Sequence, residues 1–239
     1  MDNMHNEEEW SFNNPEEWKN DFPKCNGSKQ SPIDISSNLI QKKKSDFQLK
    51  WNNYDVLPKS MSIKNSGRTI QLNVKWYDNS SRPYVTSKIL NDDYIFYHLH
   101  FRWGANDKEG SDHTLNGKSL SYSRYPLEVQ MVHYKKQYKT MENSMNYPDG
   151  MMLLSSFYST DIVGESIALE NFRSDISKIK KVNDSKEIKV FPLSLFDVIK
   201  KENSWATYNG SFTEPDCAEV VTWILSLDIY STTSKQDTK

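Results

Sequence analysis

Four of the five histidines lie between Tyr97 and Tyr134, in the run YHLHFRWGANDKEGSDHTLNGKSLSYSRYPLEVQMVHY. Histidine is the side chain that most readily exchanges a proton or offers a lone pair near neutral pH, so chemistry is to be sought here first. Around the first two histidines, residues alternate. Ile95, Tyr97, Leu99, Phe101 and Trp103 take one face of a strand, and Phe96, His98, His100 and Arg102 take the other. In the second half, Glu128, Gln130 and Val132 share a face opposite Val129, Met131 and His133. Two strands that aim His, Arg, Glu and Gln at one place read as a metal or catalytic site. They read equally as a polar-faced sheet with histidines in ordinary hydrogen bonds, because zinc needs a third ligand beyond an H-x-H pair.

The elements that must position these side chains are mostly strands. Ile70, Leu72, Val74 and Trp76 alternate with Gln71, Asn73 and Lys75 as a half-buried strand. Met151–Tyr158 is an apolar run suited to a buried strand, and Val220–Leu227 forms the last strong one. Ile167, Phe172, Ile176 and Ile179 stand near helical spacing, which predicts a helix over 165–180, and 192–201 predicts a second, short one. Pro15-Glu16-Glu17-Trp18 predicts a helical turn with Asn14 as its N-cap. Pro32 bars the stretch CNGSKQSPIDI from a central strand. With 239 residues, 13% aromatic content and no repeat or linker, the chain reads as one β-dominated domain with short peripheral helices.

A net charge of −2 supplies no global field for nucleic acid. No apolar run approaches the roughly 20 residues of a membrane span. The opening MDNMHNEEEWSF lacks the apolar core of a signal peptide. Cys25 and Cys217 are far apart in sequence, and two free thiols is the default reading for a cytosolic chain. Asn26, Asn79, Asn183 and Asn209 each begin an N-x-S sequon.

Several segments together resemble the α-class carbonic anhydrases. They are Trp10-Ser-Phe with Pro15-Glu-Glu-Trp, Gln30-Ser-Pro-Ile-Asp-Ile, Asn65-Ser-Gly-Arg-Thr-Ile-Gln, Trp103-Gly, Gly110-Ser-Asp-His-Thr, Glu128-Val-Gln-Met-Val-His and Tyr208-Asn-Gly-Ser-Phe-Thr. They fall in that family's order from Trp10 to about Tyr230. The resemblance implies a single domain over residues 10–230, built around a large, mostly antiparallel twisted sheet. Residues 1–9 are expected as a disordered arm and 231–239 as a polar tail. A C-terminal strand segment usual in the family is expected to have no counterpart, leaving a sheet edge and a core face uncovered.

The same resemblance implies trouble for the family's chemistry, in which three histidines hold a catalytic zinc. Aligned on Trp103-Gly104, the ligand positions are His100, Arg102 and Gln130. Arginine stays protonated and has no lone pair to donate, and a glutamine oxygen is a poor substitute for imidazole on zinc. His98 and His100 keep H-x-H spacing, so a slipped zinc site with Asp112 or Glu128 is the alternative. Arg68 stands at the proton-shuttle position, Thr213 and Asp112 at the pair that orients zinc-bound hydroxide, and Glu214 in place of a threonine. The apolar pocket would comprise Val132, Leu153, Phe212 and Trp223. His113 resembles a structural loop histidine, His133 a buried one, and Ser119–Ser123 an insertion. Two readings of Arg102 stand side by side: a fixed charge paired with Asp112, Glu128 or Glu214, or a head turned up the open cleft to solvent.

Secreted and membrane-anchored members of that family join the positions of Cys25 and Cys217 by a disulfide. The resemblance therefore implies that bond and an extracellular setting, with the cytoplasm as the alternative. The expected function is an acatalytic binding or interaction module with no cofactor. Its ligand would be a protein or an acidic glycan, with Lys42, Lys43, Lys44, Lys135, Lys136, Lys180 and Lys181 as basic candidates. The competing reading is an active zinc carbonic anhydrase with a rebuilt metal site.

Overall fold

The computed structural model describes residues 10–36, 48–104, 110–115, 124–200 and 204–233. His5, Lys42, Lys43, Lys44, the 119–123 segment and most of both expected tails lie outside them. The strands are β1 Asp34–Ile35, β2 Lys50–Asn52, β3 Ser60–Asn65, β4 Ile70–Lys75, β5 Tyr84–Thr86, β6 Tyr94–Trp103, β7 Thr114–Leu115, β8 Leu127–Lys135, β9 Met151–Ser159, β10 Ser185–Ile188, β11 Trp205–Gly210 and β12 Val221–Ser231. The α-helices are short: α1 Trp18–Asp21, α2 Met141–Ser144, α3 Ile167–Ile176 and α4 Asp197–Lys200.

Ten strands form one large sheet, in the order β10-β3-β4-β6-β8-β9-β12-β11, with β5 pairing β6 and β2 pairing β5. Neighbours are antiparallel except β9 with β12. The parallel pair β1–β7 stands apart, as Pro32 led us to expect for that stretch. The strand β12 is interior, between β9 and β11, and it runs four residues beyond the expected Leu227.

Apolar side chains fill both faces of the sheet. The larger core joins Leu72, Leu99, Phe101, Val129, Met131 and Leu154 to Leu169 and Phe172 of α3. The smaller one, on the opposite face, joins Val132, Leu153, Phe157, Val221, Trp223 and Leu225. Strands β8 and β9 are buried along their whole length, which explains why 151–158 reads as a continuous apolar run.

Two local expectations need correction. Strict alternation along β6 fails at Tyr97. Phe96 pairs with His133 and His98 with Val132, so Tyr97 is an extra, unpaired residue at a β-bulge, 39% exposed. The bulge reverses the phase. Phe96 shares the larger core with Leu99 and Phe101, while Ile95 packs on the smaller one. The bulge also separates the two partners on that edge of β6, with β5 pairing Tyr94 and Ile95 and β4 pairing His98 to His100. The expected helix over 192–201 is broken into a 3-10 turn, Leu193–Leu195, and α4, because Phe196 between them takes an extended conformation. Asn14 stands at the N-cap of the first turn as expected, its backbone carbonyl accepting from Glu17 N at 3.0 Å.

Cys25 and Cys217 form a disulfide with Cα atoms 4.9 Å apart. It ties the N-terminal segment to the loop between β11 and β12. Beside it, Gln30 Nε2 donates to the Cys217 carbonyl at 3.4 Å and Lys29 N donates to Glu219 Oε1 at 2.6 Å. A bond closing a ring of this size stabilises chiefly by restricting the unfolded chain. A Cys25→Ser/Cys217→Ser double variant is expected to lose about 2–5 kcal/mol, read from denaturant unfolding.

Candidate functional site: a hydrogen-bonded floor in a half-apolar cleft

The sheet register sets the site out in rungs. Gln71, His100, Gln130 and Ser155 are cross-strand neighbours across β4, β6, β8 and β9. One rung along, Arg102 faces Glu128 and Phe157; on the other side, His98 faces Val132 and Leu153. Period-two alternation sends all of these to the face of the smaller core. There Gln71, His98, His100, Arg102, Gln130, Val132 and Leu153 border a cleft of about 330 Å³, while Glu128, Ser155 and Phe157 lie outside its lining. His98, His100, Arg102 and Gln130 form its floor, and Val132, Leu153 and Phe212 part of its apolar wall.

Arg102 is 6% exposed and does not turn to solvent. Its Nε donates to Asp112 Oδ2 at 2.9 Å, and its Nη2 pairs with Glu214 Oε1 and lies 3.4 Å from Thr213 Oγ1. Thr213 Oγ1 in turn donates to Asp112 Oδ2 at 2.6 Å. Burial opposes the guanidinium's charge, but attraction to Asp112 and Glu214 outweighs it and raises its pKa. Glu128 is not a partner of Arg102. It is fully buried and receives hydrogen bonds from His113 N at 3.1 Å, His113 Nδ1 at 3.0 Å, Ser155 Oγ at 2.7 Å and Gln130 Nε2 at 2.9 Å. Burial alone would raise its carboxyl, but His113 and these donors hold it well below the usual carboxylate range.

Gln130 fixes the direction of a longer relay. Its Nε2 lies between two carboxylate oxygens, 2.9 Å from Glu128 Oε1 and 3.2 Å from Asp112 Oδ2. Acceptors on both sides require the amide NH2 there, so Oε1 is the atom that faces His100 Nε2 at 2.8 Å. His100 Nε2 therefore carries a proton and donates it, and its bare Nδ1 accepts from His98 Nε2 at 3.3 Å. Burial, with the neighbouring charges of His100 and Arg102, pushes His98 and His100 down to about 3, so both rings are neutral at physiological pH.

The remaining candidates fall into place around this floor. His133 lies on the other face as expected, fully buried, with Nδ1 donating to Met131 O at 3.0 Å and Nε2 accepting from Tyr54 Oη at 2.5 Å. His113 is a buried brace: its Nε2 meets Tyr208 Oη at 2.7 Å and its ring packs on Trp223 at 4.5 Å. Trp223, expected in the pocket wall, lies behind it, fully buried, with Nε1 donating to Ser211 O at 2.9 Å. Arg68 is not in the cleft lining; its guanidinium stacks on Trp10 at 3.9 Å. Glu214 and Thr213 do line it. The side chains of Asn26, Asn79, Asn183 and Asn209 are all exposed. Lys135 and Lys136 form no basic patch, because they pair with Asp149 and Asp93.

Sequence reasoning missed Met141 and Met145, which complete the apolar wall from the first residue of α2 and the residue that follows the helix. Their spacing of four was the one available signal. It also missed Phe12, whose ring lies 5.4 Å from the Arg102 guanidinium carbon.

A sequence profile of the eukaryotic-type carbonic anhydrases matches residues 13–239. The chain belongs to that family. It is similar to carbonic anhydrase 6 of Canis lupus familiaris, at 30% identity over 213 residues, covering 87% of this chain and 62% of that protein. Carbonic anhydrase 6 of Bos taurus is 28% identical over 227 residues, covering 92% of this chain and 67% of that protein. Carbonic anhydrase 3 of Equus caballus is 30% identical over 237 residues, covering 97% and 85%. The chain thus spans about two thirds of the length of the carbonic anhydrase 6 relatives. The twisted, mostly antiparallel sheet agrees with the family's fold.

Two expectations follow from the geometry. Removing a buried charge that answers two carboxylates leaves them uncompensated, so Arg102→Ala is expected to cost about 3 kcal/mol in urea unfolding. Glu214, 30% exposed, keeps the value toward the lower end of the range for buried pairs. The second concerns pH. His98, His100 and His133 are depressed to about 3 in the fold, whereas unfolded histidines titrate near 6.5. The unfolded chain then binds more protons below that value, so stability falls as pH drops. Between pH 6.5 and 5 most carboxylates stay ionised in both states. Each histidine is expected to contribute a slope approaching about 1.4 kcal/mol per pH unit, and flat stability over that window would refute the assignment.

Proposed function

We propose that this carbonic anhydrase family member is a binding module whose cleft holds no zinc and hydrates no carbon dioxide. The observation that carries the reading is the use already made of both ring nitrogens of His100 and both amide atoms of Gln130, with a fixed cation at the position between them. Zinc needs deprotonated nitrogen, sulfur or oxygen donors in a tetrahedral set. His100 donates from one ring nitrogen and accepts at the other. Arg102 is a cation held by Asp112 and Glu214. Gln130 commits its oxygen to His100 and its nitrogen to two carboxylates. These residues do not fit the metal. The slipped site fares no better, since among the described residues no three His, Cys, Asp or Glu side chains come together. Arg68 cannot relay protons at neutral pH.

In this reading Arg102 supplies the positive charge that the family's zinc would supply, and Thr213 and Asp112 serve to position it. The cleft remains as a ligand site. The disulfide supports an oxidising, extracellular setting, in which the exposed sequon asparagines are candidate glycan acceptors. With Lys135 and Lys136 committed to carboxylates, an acidic-glycan partner would rest on Lys180 and Lys181 among the described lysines first considered, so a cleft ligand or a protein partner is the better-supported class.

Metal content and carbon dioxide hydration, measured before and after incubation with zinc, test the proposal. The expected outcome is substoichiometric zinc and hydration at the uncatalysed rate. Stoichiometric zinc with sulfonamide-sensitive hydration would overturn it. An Arg102→His/Gln130→His variant, which restores three imidazoles, is expected to gain zinc.

A further inference from the structure

The charges of the cleft do not balance. Among the described residues, the charged side chains that line it are Arg102, Glu214 and Asp216. His98 and His100 add nothing, since both rings are neutral. At the mouth, Lys24 answers Asp216 at 2.7 Å. On the floor, Arg102 alone stands against Asp112 and Glu214, which leaves an excess of one negative charge. Burial works against the Arg102 cation, yet the two carboxylates still raise its pKa.

The two signs are also unequally reachable. The Arg102 side chain is 6% exposed and that of Glu214 30%. Only Oε1 of Glu214 is spent on Arg102, and its Oε2 has no partner among the described residues. An entering group therefore meets the carboxylate first, and in a cavity partly shielded from water that charge attracts a cation more strongly than it would in bulk solvent. An anion would have to displace Asp112 or Glu214 to reach the guanidinium. The remaining wall is apolar, with Val132, Leu153 and Phe212, and the unbranched side chains of Met141 and Met145 can rearrange around an entering group. A volume of about 330 Å³ lies at the small end of ligand pockets and suits a molecule of about one ring.

We infer that the cleft binds a small organic cation, a protonated amine on an apolar body, with the Glu214 carboxylate as its anchor. The inference rests on the zinc-free reading of the cleft. Titration calorimetry of the full chain at neutral pH with benzylamine, benzyl alcohol and benzoate tests it, with metal content measured on the same preparation. The three probes share a ring and differ in charge. Benzylamine is expected to bind at least about tenfold more tightly than either of the others. Its affinity, unlike that of benzyl alcohol, is expected to fall as sodium chloride is raised. Glu214→Gln, which keeps the shape and removes the charge, is expected to abolish the preference. Phe212→Ala, which trims the wall, is expected to weaken benzylamine and benzyl alcohol alike. Equal affinities, tighter benzoate binding, no benzylamine binding at millimolar concentration, or benzylamine binding indifferent to salt would each overturn the inference. So would a folded Glu214→Gln protein that keeps the preference, or a folded Phe212→Ala protein with unchanged affinities. The probe and salt comparisons on the unaltered chain decide the matter even if a variant fails to fold. Stoichiometric zinc in the preparation would overturn the zinc-free reading and the ligand class together. A zinc-free protein that does not discriminate overturns the ligand class alone.

Discussion

A buried arginine cannot shed its charge, so the chain around it must answer that charge, and much of this molecule's polar architecture follows. Arg102 sits on a central strand of the sheet. Its two carboxylates come from outside the sheet, Asp112 from the segment before β7 and Glu214 from the loop between β11 and β12. Holding both loops against the floor in turn engages Thr213, Gln130 and the disulfide-tied segment. The guanidinium thus makes a joint between strands and loops that pairing of strands alone would not make.

The second ordering principle is polarity. Asp112 and Glu128 are obligate acceptors, so the proton positions on Gln130, His100 and His98 are all dictated from one end. Histidines that look available in the sequence are therefore committed in the fold. His113 and His133 are committed too, one between Glu128 and Tyr208, the other between Tyr54 and its own strand. Neutrality of the buried rings is the condition for this arrangement.

The parts legible in the sequence are those governed by strong local patterns. Alternation located β4 and the polar face of β8, and a run of eight apolar or small residues located β9. The family resemblance pointed to Arg102 and Gln130, and the fold puts both on the cleft floor. What could not be read is contact between segments distant in sequence. Three carboxylates were candidates for Arg102, and only packing shows that Glu128 is already saturated by His113, Ser155 and Gln130. The bulge at Tyr97 was invisible because an inserted residue leaves no mark on composition; it appears only when β6 is laid against β8. Phe196 broke a plausible helix because its ring is fully buried in the larger core, where tertiary packing overrides helical spacing. Trp223, which the resemblance put in the pocket wall, is instead fully buried behind it, its ring against His113.

The disulfide has one further consequence. Cys25 and Cys217 are 192 residues apart, so the bond closes nearly the whole domain into a single covalent ring. A protease that cuts one surface loop inside that ring opens it without separating any fragment. The strands on either side of the nick stay hydrogen-bonded and tethered, and the protein keeps its mass until a reductant reaches it. In a protease-rich setting outside cells, a molecule built this way can be nicked and still persist as one particle.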